Sequence, residues 1–289
     1  MRPYSSWAVI LIAVLTSRGV AAPADVAAQA AAVLDDYEAA NERFMAEWQK
    51  ASTDAERLML ARTKTPDRKT YAGRALDVAR QHPAEPGAVD AVAIELSLIS
   101  QNMDPESVRL ENEGLDLLLA HHLDTANLPD TFQWLQSRPS VNGEAFLRAV
   151  IQKSSARSNR GRALLALGGY FRQQFKFAQR FKVLPEFRDQ IAKGTKEYDR
   201  DVFNALPEDA DKPLAQAKSI YRQVAAEYPD VKGPGGSIAD QASNILYAFD
   251  HLAVGNRAPQ IEGPTIDGTP MKLSDYRGKV VMLDFWGDW

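Results

Sequence analysis

From residue 25 to about residue 251 the apolar positions recur at helical spacing. Ala27, Ala30, Ala31, Leu34, Tyr37 and Ala40 make one stripe along an alanine-rich stretch over residues 25–49, the pattern of a helix that buries a single face. Asp104-Pro105-Glu106 carries the signature of a helix start, a capping Asp followed by Pro at the first helical position. Val108, Leu115, Leu118 and Leu119 fall on the helix it opens. Leu214, Ala217, Ile220, Tyr221, Val224 and Tyr228 outline a further amphipathic helix, closed by Pro229. Before residue 260 no segment shows the period-two alternation of a strand.

The pattern then changes. Val231-Lys232-Gly233-Pro234-Gly235-Gly236 breaks regular structure. A last helix is predicted from about Ser237 to His251, and Gly255-Asn256-Arg257-Ala258-Pro259 marks a boundary. Beyond it, residues 261–266, the turn Asp267-Gly268 and residues 271–273 predict a β-hairpin. Residues 274–278 predict a short helical turn. Residues 279–285 are apolar at consecutive positions, the composition of a strand buried on both faces of a mostly parallel sheet. The expected fold class is mainly α. A bundle of helical hairpins comes first, then a β-hairpin and one core strand of an incomplete α/β domain. The expected organisation is a signal peptide over 1–24, an all-helical domain over 25–254 and an α/β remnant over 255–289.

Composition narrows the function classes. With 45% apolar and 25% charged residues, the 289-residue chain is expected to fold. A formal net charge of -4 argues against a general nucleic-acid binder. Zero cysteines exclude disulfides, thiolate metal sites and a cysteine nucleophile within these residues. At the N-terminus, Arg2 precedes the apolar run Trp7 to Leu15, which is shorter than the roughly 20 residues of a membrane-spanning helix. Ala22-Pro23-Ala24 has the small-x-small form of a cleavage site. The expectation is a periplasmic or secreted protein without an integral span after cleavage, and an uncleaved anchor is the alternative. The compartment would be oxidising.

Residues 254–289 resemble the opening of a TlpA-like redoxin, related to the alkyl hydroperoxide reductase group of the thioredoxin superfamily. The elements that carry the resemblance are Gly255-x-x-Ala258-Pro259, the Asp267-Gly268 hairpin, Leu273-Ser274-Asp275-Tyr276-Arg277-Gly278-Lys279, and Val280-Val281 followed by Asp284-Phe285-Trp286 and Trp289. The resemblance implies a thioredoxin-like fold and thiol–disulfide oxidoreductase activity on a protein disulfide or thiol, with no cofactor. It implies that Asp284 is a buried proton acceptor, and that Phe285, Trp286, Gly287, Asp288 and Trp289 flank the active site. In such families the nucleophilic cysteine follows at the position after Trp289. The expectation is therefore a chain truncated immediately before that cysteine, or before a selenocysteine encoded by a TGA codon, and inactive as it stands. The helical region would be the N-terminal extension of a secreted redoxin. Residues 71–83 and 217–229 each end a helix at a proline and resemble the second helix of a tetratricopeptide unit, although no regular period connects them.

Two other functional readings compete. A peroxiredoxin-type antioxidant peroxidase is disfavoured, because that group places Pro and Thr before its cysteine. A protein-binding helical module carrying a vestigial redoxin segment is the alternative from a different class. Of the remaining chemistry-bearing groups, His121-His122 are adjacent and point about 100° apart on a helix, poor geometry for a chelate, so no metal site is expected. Residues 157–200 are basic with interleaved aromatics. Phe171 and Phe175 share one helical face, and Arg172, Lys176 and Arg180 share another. That spacing reads as an amphipathic helix with a solvated cationic face, or as a docking face for an acidic partner or membrane surface.

Overall fold

A computed structural model of the chain describes residues 25–100, 102, 104–136, 140–186, 189, 207, 209–284 and 286. The first 24 residues, and with them the expected signal peptide, lie outside the described residues. The chain is mainly α, as the periodicity predicts.

Helix α4 (Gly87–Ile99) organises the first half. Its sequence GAVDAVAIELSLI is apolar on almost every side, and Ala88, Val89, Ala91, Val92, Ile94, Leu96, Leu98 and Ile99 are all buried. A helix that is apolar all round must be enclosed by others. Helices α1 (Val26–Lys50), α3 (Arg68–Gln81) and α5 (Pro105–His121) enclose it, together with short 3-10 turns at Leu128–Thr131 and Trp134–Gln136. The face that α3 turns toward α4 is lined with Ala72, Ala75, Leu76 and Ala79, all at 0% exposure. Small side chains there let the two helices approach closely. The short helix α2 (Asp54–Thr63) packs on α1.

The second half is a succession of helical hairpins. Helix α6 (Val141–Lys153) packs on α7 (Arg157–Val183), α7 on α8 (Asp211–Glu227), and α8 on α9 (Ile238–His251). Most helix starts are written locally. Asp25, Asp67, Asp104, Ser140 and Ser237 each accept a hydrogen bond from a backbone N–H of the first turn, satisfying donors that a helix leaves orphaned. Thr53 and Glu56 form a reciprocal capping box at α2.

The breaker at residues 231–236 is more ordered than its composition suggests. Lys232–Gly233 (β1) pairs antiparallel with Gly236–Ser237 (β2), a strand pair where none was expected. Gly235 and Gly236 turn the chain at φ 81° and 133°, a region open to glycine and costly for other residues. The Ile238 N–H then donates to the Val231 carbonyl at 3.0 Å, which closes the turn onto α9.

The loop after α5 fastens the two halves together. The His122 ring is buried. Its Nε2 lies 2.8 Å from the Pro83 carbonyl in the α3–α4 connection, and its Nδ1 lies 3.2 Å from Thr125 Oγ1. A carbonyl can only accept, so Nε2 donates and the neutral ring accepts from the threonine hydroxyl. Burial pushes the His122 pKa down from its ordinary value near 6.5, against a smaller opposing effect of the hydrogen bond to Pro83. Asp124 accepts from Ser154 Oγ, Ser155 N, Ser155 Oγ and Ala156 N at the α6–α7 corner. Those hydrogen bonds, led by the serine hydroxyls, hold its carboxyl down at about 2. Asn159 on α7 donates to the carbonyls of Leu123 and Thr125.

Two predictions test this packing. On α7, a Cβ added at Gly168 would meet the Tyr221 ring at 2.8 Å, and that ring is 1% exposed. On α3, a Cβ added at Gly73 meets nothing within 4 Å. Gly73→Ala is therefore expected to stabilise by about 0.5–1 kcal/mol from helix propensity, whereas Gly168→Ala is expected to destabilise by roughly 1–3 kcal/mol through overpacking. Urea unfolding of both variants measures the contrast. The second concerns pH. Because the folded pKa of His122 is depressed, its contribution to stability is complete above about 6.5 and is lost as pH falls below that value toward the folded pKa. The melting temperature should drop between pH 7.5 and 5.5, and should drop less in His122→Asn. Equal pH slopes in the two proteins would contradict the assignment.

Candidate functional site

Residues 255–284 form a small module stabilised by local hydrogen bonds. Glu262–Pro264 (β3) pairs antiparallel with Pro270–Lys272 (β4), in the register Glu262 to Lys272, Gly263 to Met271 and Pro264 to Pro270. The predicted Asp267-Gly268 turn is present, with Gly268 at φ 82°. Thr265 N donates to the Thr269 carbonyl at 2.8 Å, and the Thr265 hydroxyl donates to the Asp267 carboxylate. That hydroxyl, with backbone N–H groups, lowers the Asp267 pKa. Lys272 and Glu262 form an exposed cross-strand ion pair at 3.2 Å. The predicted helical turn is the 3-10 segment Leu273–Tyr276, tied back by Leu273 N to the Ile261 carbonyl at 2.9 Å and by Ser274 N to Gln260 Oε1 at 3.1 Å. Gly278, at φ 80°, then redirects the chain.

The expected core strand over 279–285 is not formed among the described residues. Val280 is 104% exposed and Met282 91%, and Val281 and Leu283 are also exposed. The cause is physical. A strand apolar on both faces needs neighbouring strands to pair its backbone and helices to cover it, and the described residues supply neither around it. The same absence decides the placement of Asp284. It was expected as a buried proton acceptor, and its side chain lies exposed. Trp286 is 82% exposed. Phe285, Gly287, Asp288 and Trp289 lie outside the described residues.

The other sequence candidates have structural occupations. His122 joins the loop described above, and His121 ends α5. Among the described residues no group of three or more His, Asp or Glu side chains gathers in a way that could hold a metal ion. No helix among them is long and apolar enough to cross a membrane. On α7, Phe171 is buried edge-on against Tyr170 at 5.3 Å, and Phe175 meets Phe249 of α9 at 5.9 Å. The aromatic face of the basic segment is thus packing surface, while Lys176 and Lys182 face solvent.

The structure also gathers side chains that the sequence did not flag. An open groove of about 420 Å³ lies between the second half of α1 and the start of α3. Phe44 and Tyr71 give it aromatic faces, and Arg43, Glu47, Lys64 and Arg74 line its rim. Positions 43–47 and 64–74 are linked only by the fold. No motif or spacing connects them, so no sequence signal was available.

Comparison with known proteins places the similarity in a short segment. The chain is 47% identical over 47 residues to the thiol-disulfide oxidoreductase ResA of Geobacillus thermodenitrificans (strain NG80-2), covering 16% of this chain and 27% of that protein. It is 43% identical over 47 residues to ResA of Geobacillus kaustophilus (strain HTA426), with the same coverage. The chain thus spans about a quarter of the length of the curated relatives it matches. No family model matches, and no solved structure matches. These similarities support a thioredoxin-like relationship for part of the chain.

Exposed apolar backbone with no ladder partner is open to proteases and to self-association. Limited proteolysis of the 289-residue chain is expected to remove residues from about 256 onward while leaving the helical part intact. A C-terminal segment as resistant as α4 would contradict the exposure seen here.

Proposed function

We propose that the chain carries the leading part of a secreted thiol–disulfide oxidoreductase of the TlpA-like type, in which a helical domain precedes the redoxin domain. The observation that carries this proposal is the order of elements in residues 255–284. A Gly-x-x-Ala-Pro entry, an antiparallel hairpin closed by Asp-Gly, a 3-10 turn at Leu-Ser-Asp-Tyr and a Gly-Lys-Val-Val segment succeed one another. The similarity over 47 residues to two ResA proteins supports it. The signal-like pattern of residues 1–24 supports a periplasmic or secreted location.

The chemistry sets its own requirement. In thiol–disulfide exchange a thiolate attacks one sulfur of a disulfide, the S–S bond breaks, and the electron pair leaves on the other sulfur. A second thiol then resolves the mixed disulfide. The 289 residues contain no cysteine, so by themselves they catalyse no such exchange. The proposal requires that a cysteine or selenocysteine, with its resolving cysteine, be encoded after codon 289. By the resemblance, Asp284 would be covered in the complete domain and pass a proton to and from the resolving thiol. Trp286 and Trp289 would frame the sulfur pair. The substrate would be a protein disulfide or thiol, and neither a cofactor nor nucleic acid enters the scheme.

Sequencing the message beyond codon 289 tests the proposal. It expects a cysteine codon or TGA at position 290, an in-frame cysteine codon three positions later, and the remainder of a redoxin. Where TGA is found, mass spectrometry for selenium distinguishes selenocysteine from a stop. The extended protein should reduce insulin disulfides with dithiothreitol as electron source, and the 289-residue chain should not. Noncoding sequence after codon 289, or an extended protein without exchange activity, would overturn it.

A further inference from the structure

The start of α6 contains a chemically labile pair. Asn142-Gly143 is the only Asn-Gly pair in the sequence, and it lies in the first turn of that helix. In such a pair the backbone nitrogen of the glycine attacks the carbonyl carbon of the asparagine side chain, because glycine has no Cβ to hinder the approach. A C–N bond forms, the carboxamide nitrogen leaves as ammonia, and a cyclic succinimide remains. Water then opens the ring at either carbonyl, giving aspartate or an isoaspartyl linkage. Water is the sole co-reactant, and Asn142 is exposed to it.

The fold favours this glycine and also restrains it. Gly143 is buried, and a Cβ added there would lie 3.2 Å from Ser140 Oγ and 3.3 Å from Ser140 Cβ. A larger residue would therefore press on the cap of α6. The Gly143 N–H donates to Ser140 Oγ at 3.0 Å, which keeps the attacking nitrogen aimed at the cap. The Asn142 carboxamide donates to Asn112 Oδ1 on α5, which ties the electrophile to the neighbouring helix. Ring closure also needs the Asn142 backbone to leave the helical angles that the first turn imposes. All three restraints are lost together when that turn opens, and helix ends are places where such opening is least costly.

We infer that Asn142-Gly143 is a site of spontaneous deamidation and isoaspartate formation, gated by the Ser140 cap. The reaction proceeds from the state in which the first turn of α6 has opened, at a rate set by the population of that state. Its two products differ in consequence. Aspartate at position 142 adds a negative charge in the first turn, where the helix dipole favours it. The isoaspartyl linkage routes the main chain through the side chain and lengthens it by a methylene. Ser140 then no longer meets the Gly143 N–H in register, and the contact between α6 and Asn112 of α5 loosens. This site is separate from the redoxin segment and is independent of any residue encoded after codon 289.

Incubation of the full 289-residue chain at mildly alkaline pH, followed by peptide mapping with mass spectrometry, tests it. Asn142 is expected to convert in the folded chain, about tenfold or more slowly than in the same chain held unfolded in urea. Ser140→Ala, which removes the cap, should speed the conversion about three- to tenfold, and Ser140→Thr, which can still cap, should stay near the wild-type rate. The rates at Asn127 and Asn244 should not change in either variant. A second measurement needs no variant. As urea is raised below the unfolding transition, hydrogen exchange at the Gly143 amide and conversion of Asn142 should accelerate in proportion. The inference is overturned by no conversion of Asn142 in the folded chain over weeks of incubation, by equal rates in the folded and unfolded chain, or by an unchanged rate in Ser140→Ala. It is overturned equally by Gly143 exchange that rises without conversion, or by parallel acceleration at Asn127 and Asn244, which would make the opening global.

Discussion

Helix α4 is the constraint that shapes the rest of the helical part. Thirteen residues that are almost wholly apolar cannot end at a water-facing side, so helices must cover them from several directions. The alanines of α3, the first turns of α1 and the inward face of α5 are the answer. Even the charged residue at its centre is enclosed. Glu95 is 0% exposed, and Gly114 of α5 passes so near that an added Cβ would lie 2.7 Å from Glu95 Oε2. A carboxylate in such a place is costly unless its surroundings are fixed, which makes the α4–α5 contact intolerant of sliding. Glu111, one turn before Gly114 on α5, is buried as well, and an added Cβ on Gly143 of α6 would lie 3.7 Å from its Oε1. The acids thus mark where α4, α5 and α6 meet.

The connection between the two halves is polar where the interior of each is apolar. His122, Asp124 and Asn159 join the end of α5 to the α3–α4 loop, the α6–α7 corner and α7. Backbone groups that a loop would otherwise leave to water are satisfied by these three side chains. An apolar surface would permit several relative placements of the hairpins. Directional bonds to named carbonyls and N–H groups permit few. The two kinds of interaction thus divide the work, burial supplying most of the cohesion and the corner setting the orientation.

Much of the helical part was legible because its signals are local. Asp104-Pro105 states its helix start in consecutive residues, and the stripe along α8 predicts its buried Ala217, Tyr221 and Val224. The hairpin of residues 262–272 was legible for the same reason, since Asp-Gly forces a particular turn. What failed was non-local. The run over 279–285 has the composition of a strand, but a strand is defined by its neighbours, and composition cannot show whether they are present. Asp284 obeys the same rule. Its sequence context matches a buried acid, but burial belongs to the surroundings and not to the residue. The groove at α1 and α3 was illegible for the opposite reason. Its residues are ordinary surface types, and only the packing of α3 beside α1 brings Arg43 to Tyr71.

These two failures separate the parts of the molecule by how they are stabilised. The buried core of the helical part is built from residues between 30 and 242, and none of the described residues beyond 255 enters it. The module beyond 255 rests on its own turn and ladder bonds, with its apolar side chains facing water. A helical part that needs nothing from the C-terminal module for its core can keep a surface such as the α1–α3 groove whatever state that module is in. The dependence is not mutual. Val280 to Leu283 can become a core strand, and Asp284 a buried acid, only where other backbone and side chains arrive to cover them. The chemistry suggested by the C-terminal sequence is therefore conditional on completing a fold, while the groove in the helical part is already formed.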